Sequence, residues 1–249
     1  VEIQFMGDGK SYVHCFEREC SVQRRRQKVW EEAPAIGISD DIRNRICEAA
    51  LSIAQKAGYV GIGTVEFLYD TRTTEFYFIE VNTRIQVEHP VTEMITGIDL
   101  VRVMIEIAST GELPLTQKKI QKTGHAIECR INAEDPFNDF FPSPGCVDRF
   151  LPPEGAGVRF DSMLFEGYTV PPYYDSLLGK LIVSSSSRAA ALEKMDRALD
   201  DIIIEGIRTT IPLHKRLVSE KQIQAGNFDI NFLENMLVSD QEQRKNNND

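Results

Sequence analysis

The stretch Glu66–His89 reads EFLYDTRTTEFYFIEVNTRIQVEH, and its pattern decides the fold class. Val65, Phe67 and Tyr69 alternate with Glu66, Leu68 and Asp70. Beyond a polar break at Asp70–Thr74, Tyr77, Ile79 and Val81 alternate with Phe76, Phe78, Glu80 and Asn82. A period of two, aromatic and β-branched content and a short polar break predict two antiparallel strands. Glu80 and Asn82 are two apart and share one face of their strand. A turn near Thr73 sets Glu66 opposite Glu80. Like charges facing each other across strands are destabilising, so this pair asks for a counter-charge. A few hard oxygens of this kind suit Mg²⁺ held jointly with phosphates. The plainer reading is a solvent-facing hairpin whose acids sit in water, and the pattern alone leaves both open.

A loop, Thr83–Pro90, follows at once. Arg84 and Glu88 are its chemical candidates: a guanidinium fork matches carboxylate, bicarbonate or phosphate, and a carboxylate nearby can act as a base. An Arg–Glu ion pair that only shapes the loop is the alternative. His89, before Pro90, reads as structural. Upstream, Ser39 caps a helix opening on Asp40 and Asp41, with Ile42, Ile46, Ala49, Ala50, Ile53 and Ala57 at helical spacing and Gly58 as its stop. Gly58, Gly61 and Gly63 lead into a strand, so they are not a dinucleotide fingerprint, which opens a helix. Glu2–Met6 and Ser11–Phe16 form a second hairpin around Gly7-Asp8-Gly9. The cationic run Gln23-Arg24-Arg25-Arg26-Gln27-Lys28 either meets phosphates or is a solvated face.

Downstream, one helix runs through Glu93–Thr96 and another from Asp99 to Gly111, with Leu100, Val103, Met104 and Ile107 inward. Residues 113–123 are polar and read as a link between two domains, 1–112 and 124–238. The second domain opens on a strand, His125–Ile131. Turns and short strands fill Pro136–Gly157, another strand is expected over Leu177–Val183, and an amphipathic helix over Ser187–Glu205 with Leu192, Met195, Leu199, Ile202 and Ile203 inward. A last helix, about Ile230–Leu237, precedes a polar tail over 239–249 expected to be disordered.

The 249 residues carry 28 Lys and Arg against 38 Asp and Glu, a formal charge of −10. That balance argues against general nucleic-acid binding, and no apolar run approaches membrane-spanning length. Cys15, Cys20, Cys47, Cys129 and Cys146 form no CxxC pair or zinc spacing and read as free thiols of a reducing compartment. The opening Val-Glu-Ile-Gln-Phe is in mid-pattern, so the chain is read as a piece of a longer protein.

The stretches ERECSVQRRRQKVWEEAPA, EFYFIEVNTRIQVEHPVTEMITG, GHAIECRINAEDP, FPSPG and GYTVPPYYDSLLGKL resemble biotin carboxylase, the ATP-grasp ligase component of biotin-dependent carboxylases. The resemblance runs from Val1 to about Leu237. It implies an α+β fold: the C-terminal lobe of an ATP-grasp fold over 1–112, then a biotin carboxylase C-terminal domain. It implies ATP, Mg²⁺ or Mn²⁺, and biotin as carboxyl acceptor.

Roles carry over residue by residue. Glu66, Glu80 and Asn82 match the metal ligands. Arg84 matches the catalytic arginine that grips bicarbonate and carboxyphosphate, Gln86 and the backbone N–H of Val87 match bicarbonate contacts, and Glu88 matches the base. Lys28 matches a cation beside ATP and bicarbonate, with Gln23 and Arg26 in the same ATP-binding segment, where Glu66 and Glu80 also count. Arg130 matches the arginine that stabilises the biotin enolate. Implied partners are a biotin carboxyl carrier protein or domain and a carboxyltransferase component, as in fatty acid biosynthesis, in the cytoplasm or, for a eukaryote, the mitochondrion.

Departures are Arg26, where many members have His, and Ala156, where a larger aromatic can stand beside the dimer contact at Arg159, so a homodimer is only weakly implied. The family's glycine-rich flap and two ATP-binding lysines precede the matched region, so this chain alone is expected to be inactive. The competing readings are a non-catalytic binding or dimerisation module on the same scaffold, and another ATP-grasp ligase joining a carboxylate to an amine.

Overall fold

The computed structural model describes residues 1–246. Two compact units emerge, and neither is one continuous stretch: the first holds Val1–Cys20, Glu32–Ala126 and Ser184–Arg188, the second Ser21–Glu31, Ile127–Val183 and the chain from Ala189 onward.

Strands β1 (Glu2–Asp8), β2 (Tyr12–Arg24) and β3 (Gln27–Ala33) come first. Helix α1 (Asp40–Lys56), strands β4 (Val60–Asp70) and β5 (Glu75–Asn82), and helices α2 (His89–Thr96) and α3 (Leu100–Thr110) follow. In the first unit the strand order is β2-β1-β4-β5, antiparallel throughout. Ile3, Phe5, Val65 and Phe67 bury one face against Ile42, Ile46 and Ala50 of α1. Met6, Val13 and Ile62 pack on the other face with Leu100, Val103 and Ile107 of α3. The second face is not apolar along its length. Moving along β1 from Met6, the side chains on that face are Gln4 and Glu2, both buried. On β4 the sequence of side chains is Ile62, Thr64, then the half-buried Glu66. Polarity therefore rises toward the end of the sheet where the acidic hairpin lies.

The local signals hold. Ser39 caps α1 by accepting from the Ile42 N–H (3.4 Å), Asp99 caps α3 through the Arg102 N–H (2.8 Å), and Gly111 ends α3 in the left-handed region (φ 74°). Asp8 closes the first hairpin by accepting from the Lys10 and Ser11 N–H groups at 2.9 and 2.6 Å. Residues 113–123 are no loose tether. The Leu113 N–H bonds the Asp8 carboxylate at 3.0 Å, the Gln117 amide bonds both the N–H and the carbonyl of His14 (2.9 and 3.1 Å), and Ile120 is buried in the α3 core.

In the second unit come β6 (His125–Asn132), β7 (Glu134–Asp135), β8 (Phe141–Pro142), β9 (Gly145–Cys146), β10 (Arg149–Leu151), β11 (Val158–Ser162), β12 (Thr169–Val170) and β13 (Leu177–Ser185). Helix α4 (Arg188–Asp201), strand β14 (Ile203–Glu205) and helices α5 (Ile211–Ser219), α6 (Lys221–Ala225) and α7 (Phe232–Asn246) complete it. The order β11-β13-β6-β3 forms its main sheet. Ile127, Cys129, Ile131, Leu181 and Val183 face the inner sides of α4, α5, α6 and α7, with Val22 and Trp30 in the same core.

Several expectations need correction. The amphipathic helix stops at Asp201, because Ile203–Glu205 pairs with Arg149–Leu151 instead of continuing the helix. Helices α5 and α6 lie where no element was expected. The last helix continues to Asn246 rather than ending before a disordered tail: the stretch is rich in good helix formers, and Asp240 pairs with Arg216. Residues 247–249 of that expected tail lie outside the described residues. The run Gln23–Lys28 is the turn between β2 and β3, with Arg25 and Arg26 both at positive φ (48° and 66°).

Candidate functional site

In the first unit the acidic hairpin has the expected register. Glu66 stands opposite Glu80, with a bulge immediately after Glu66. The Asn82 amide lies between the two acids, donating to Glu66 Oε1 at 2.9 Å and to Glu80 Oε1 at 3.2 Å. The sequence places three hard-oxygen groups on one face, and the structure brings them within one amide's reach. Turning that amide over directs its oxygen to the same point. The donor set therefore fits a small hard cation such as Mg²⁺, which takes carboxylates and amide oxygens together with phosphates.

The loop after β5 completes the arrangement. Arg84 is exposed, with Nη2 at 3.5 Å from Asn82 Oδ1 and Nη1 at 3.2 Å from the Ile85 carbonyl. Gln86 is buried, and its amide nitrogen donates to Glu66 Oε1 at 3.1 Å. His89 shapes the loop: its Nδ1 lies 2.8 Å from the Gln86 carbonyl. Glu88 is 2% exposed and does not share the open mouth with Glu80. Its carboxylate, the Glu2 carboxylate and the Cys20 thiol have ligand atoms within 4.8 Å of one another. The Glu88 carboxylate thus lies among buried groups, away from bulk water.

Arg18 on β2 was absent from the sequence reading. Its side chain is fully buried, and Nη2 donates to Gln86 Oε1 at 2.7 Å. Gln4 and Thr92 accept from Nη1 at 2.8 and 3.0 Å. A signal existed: Glu2 and Gln4 are polar at alternate positions of a strand that proves central, and two buried polar groups on one face demand a partner.

The second unit holds the remaining candidates. Gln23 and Lys28 are half-buried on β2 and β3, and Arg26 is exposed at the turn between them. The neighbouring cations are committed locally. Arg24 lies 3.9 Å over the Phe140 ring and 2.8 Å from Asp139, and the Arg25 guanidinium lies 3.4 Å from the same carboxylate. Arg130 projects from the face of β6 opposite the core, with Nε 2.6 Å from the buried Glu31 carboxylate. Its carbonyl accepts from Thr210 Oγ1 (3.0 Å) and meets His214 Nε2 at 2.7 Å. Burial pushes the His214 imidazole down to about 4, so it is neutral near pH 7 and donates from Nε2. Glu31, Thr210 and His214 were not foreseen.

Two family models match the chain. One is described as the carbamoyl-phosphate synthase L chain, ATP binding domain, over residues 1–116, and the other as the biotin carboxylase C-terminal domain, over residues 128–235. Biotin carboxylase 1 of Bacillus subtilis is 49% identical over 94% of this chain and 52% of its own length. The chain belongs to the biotin carboxylase family. The biotin carboxylase of Pseudomonas aeruginosa is 49% identical over 96% of this chain and 53% of its own length. Among solved structures, the biotin carboxylase domain dimer of Hydrogenobacter thermophilus 2-oxoglutarate carboxylase, in complex with MgADP, ADP and bicarbonate, superposes with a TM-score of 0.91. It is 43% identical over 94% of this chain and 52% of that one. The chain spans about half the length of the curated relatives it matches. Its mixed helix and strand content is that of biotin carboxylase structures of the ATP-grasp type. Among the described residues no helix is long and apolar enough to cross a membrane.

Proposed function

We propose that the protein containing this chain is an ATP-dependent ligase that carboxylates biotin with bicarbonate. The observation that carries the reading is the convergence of Glu66, Glu80 and Asn82 beside Arg84, with Gln86 bonded into the same group. Glu66, Glu80 and Asn82 would hold Mg²⁺ or Mn²⁺, which would supply positive charge to offset that of ATP phosphates during phosphoryl transfer. Gln23, Arg26 and Lys28 serve the nucleotide, Lys28 also bicarbonate. Arg84, Gln86 and the Val87 N–H hold bicarbonate, and Glu88 takes its proton. A bicarbonate oxygen then attacks the γ-phosphorus of ATP, and ADP leaves. The resulting carboxyphosphate releases CO₂ and phosphate. The phosphate removes the N1′ proton of biotin, Arg130 stabilises the enolate, and the nitrogen bonds CO₂.

The acceptor biotin is carried by a carrier protein or domain that a carboxyltransferase component then meets. The mostly buried cysteines, in no disulfide among the described residues, fit a reducing compartment, the cytoplasm or, in a eukaryote, the mitochondrial matrix. A homodimer is in keeping with the dimeric relative named above.

The test is bicarbonate- and biotin-dependent ATP hydrolysis by the full-length protein. Arg84→Ala is expected to lower kcat about 10²–10³-fold through loss of an anion-stabilising donor. Glu88→Gln is expected to lower it about 10²–10⁴-fold through loss of the base. Near-normal turnover in either variant overturns the assignment. Turnover that needs no biotin but requires an added amine assigns a carboxylate–amine ligase instead.

A further inference from the structure

Arg18 is among the largest fully buried side chains of the molecule. A buried guanidinium is costly unless its donors are met. Its terminal nitrogens reach four separate parts of the first unit. Nη1 donates to Gln4 Oε1 on β1 (2.8 Å) and Thr92 Oγ1 on α2 (3.0 Å). Nη2 donates to Gln86 Oε1 in the site loop (2.7 Å), Thr64 Oγ1 on β4 (3.2 Å) and Glu2 Oε2 on β1 (3.5 Å). The shortest of these contacts goes to the neutral amide of Gln86, and the carboxylate contact is the longest.

That choice of partner has a directional consequence. A guanidinium donates and never accepts. Whatever side-chain amide meets it must present its oxygen. Gln86 therefore turns its carbonyl toward Arg18 and its NH₂ the other way, where one donor meets Glu66 Oε1 at 3.1 Å. An unconstrained amide could turn over and offer its oxygen to the same region. Arg18 removes that freedom without touching the mouth of the site. The neighbouring polar groups support the arrangement. Gln4 is itself orientated, because its oxygen faces Arg18 and its nitrogen donates to the Gly63 carbonyl at 2.8 Å.

We propose that Arg18 is a positioning residue that locks the Gln86 amide with its NH₂ turned away from Arg18 and toward Glu66, so that on that side Gln86 offers a small oxyanion donors and no acceptor. The proposal rests on the bicarbonate reading of that loop. It adds the reason the loop takes an anion rather than a cation beside an acidic hairpin: Gln86 and Arg84 both face it as donors, and the amide that could reverse sign is held from behind.

The experiment uses the full-length protein and two readouts. The first is the KM for bicarbonate against the KM for ATP. The second is the side-chain NH₂ signal of Gln86 in ¹⁵N NMR spectra, assigned by its loss in Gln86→Glu. Arg18→Met is expected to raise the bicarbonate KM at least tenfold, the loss of about one orientated hydrogen bond, with the ATP KM within twofold and the Gln86 signal moved to free-amide values. Arg18→Lys, which keeps charge and donors, should restore part of the difference. Gln86→Glu keeps an acceptor for Arg18 while replacing the outward donors by oxygen, and should lose bicarbonate use with a Tm near the parent's. Thr92→Val removes one Arg18 contact outside this line and should lower Tm while leaving the bicarbonate KM alone.

Equal increases in both KM values for Arg18→Met, or an unchanged bicarbonate KM in Gln86→Glu, would overturn the proposal in favour of a purely structural Arg18. If Arg18→Met fails to fold, Arg18→Lys and Gln86→Glu decide on the same criteria. If the parent protein shows no bicarbonate-dependent turnover, the functional reading falls. The NMR signal then decides Arg18 alone: a Gln86 NH₂ that moves in Arg18→Met and returns in part in Arg18→Lys upholds the lock, and one that stays in Arg18→Met overturns it.

Discussion

His214 sits beneath Arg130, and its environment sets a measurable pH dependence. Its side chain is fully buried, and desolvation lowers its pKa to about 4, against 6.5 for a free imidazole. The folded state therefore binds its proton less readily than the unfolded chain. Its contribution is fully present above about pH 6.5 and is lost as pH falls toward 4, at about 1.4 kcal/mol per pH unit and on the order of 3 kcal/mol in all. His14, lowered to about 4 by burial as well, acts in the same window and direction. In His214→Gln the amide N–H can replace the donor to the Arg130 carbonyl without titrating. Denaturant unfolding at a series of pH values should show the variant losing stability less steeply than the parent between pH 6.5 and 4. Equal slopes would contradict the burial argument. Residues of this kind are invisible in sequence: His214 gains its partner 84 positions away, and nothing local to Leu213-His214-Lys215 announces it. Arg18 is different: its own segment does not announce it, and only the buried polar pair Glu2 and Gln4 on the neighbouring strand asks for such a partner. Glu66, Glu80, Asn82 and Arg84 were legible because a strand's period of two and one short turn bring them together.

At the scale of elements, the caps and the hairpin register were readable because each depends on residues within one turn or one strand pair. The β2–β3 turn was not, since Arg25 and Arg26 adopt positive φ without the Gly or Asn that marks such turns. The edge strand β5 shows another limit: its alternation suggests one buried face, yet Tyr77, Phe78 and Ile79 are all more than half exposed. Within the hairpin, Gly63 has a specific steric role. A Cβ there would lie 2.6 Å from the Phe5 ring and 3.2 Å from the Asn82 carbonyl. Gly63→Ala is therefore expected to force β1 and β5 apart and to cost about 1–3 kcal/mol, as overpacking does. Chemical denaturation measures the loss, and a midpoint unchanged from the parent would show that the ring yields freely. Because the displaced carbonyl belongs to Asn82, the same variant should bind Mn²⁺ more weakly in a spin-relaxation titration of the full-length protein.

At the scale of the molecule, the sequence pattern separated two bodies along the chain, in keeping with the family matches over residues 1–116 and 128–235, but it treated each as one continuous stretch. It set one division near residues 113–123, whereas that stretch packs into the first unit and the second unit recruits Ser21–Glu31 from far upstream. Non-local recruitment leaves no mark on local periodicity. Expression of residues 124–249 alone is thus expected to yield an aggregation-prone chain, since Val22 and Trp30 of its core are missing. A soluble fragment with cooperative unfolding would refute that. The whole 249-residue chain should fold cooperatively yet show no biotin-dependent ATP hydrolysis. It spans about half the length of its relatives, and groups that orient the reacting phosphate contribute several powers of ten in rate.

Glu32, buried and completely enclosed, is held by Arg188 through two bonds of 2.7 and 2.8 Å and by His125 at 2.7 Å. Its bidentate partner lies 156 residues downstream. On the ribosome, at about 5–20 residues per second, Glu32 must wait many seconds for that guanidinium. A carboxylate cannot be enclosed without its counter-charge at acceptable cost. The first unit therefore stays open at this corner until synthesis has passed Arg188. Nascent chains stalled before that residue should be cut readily by protease, and chains stalled well after it should resist.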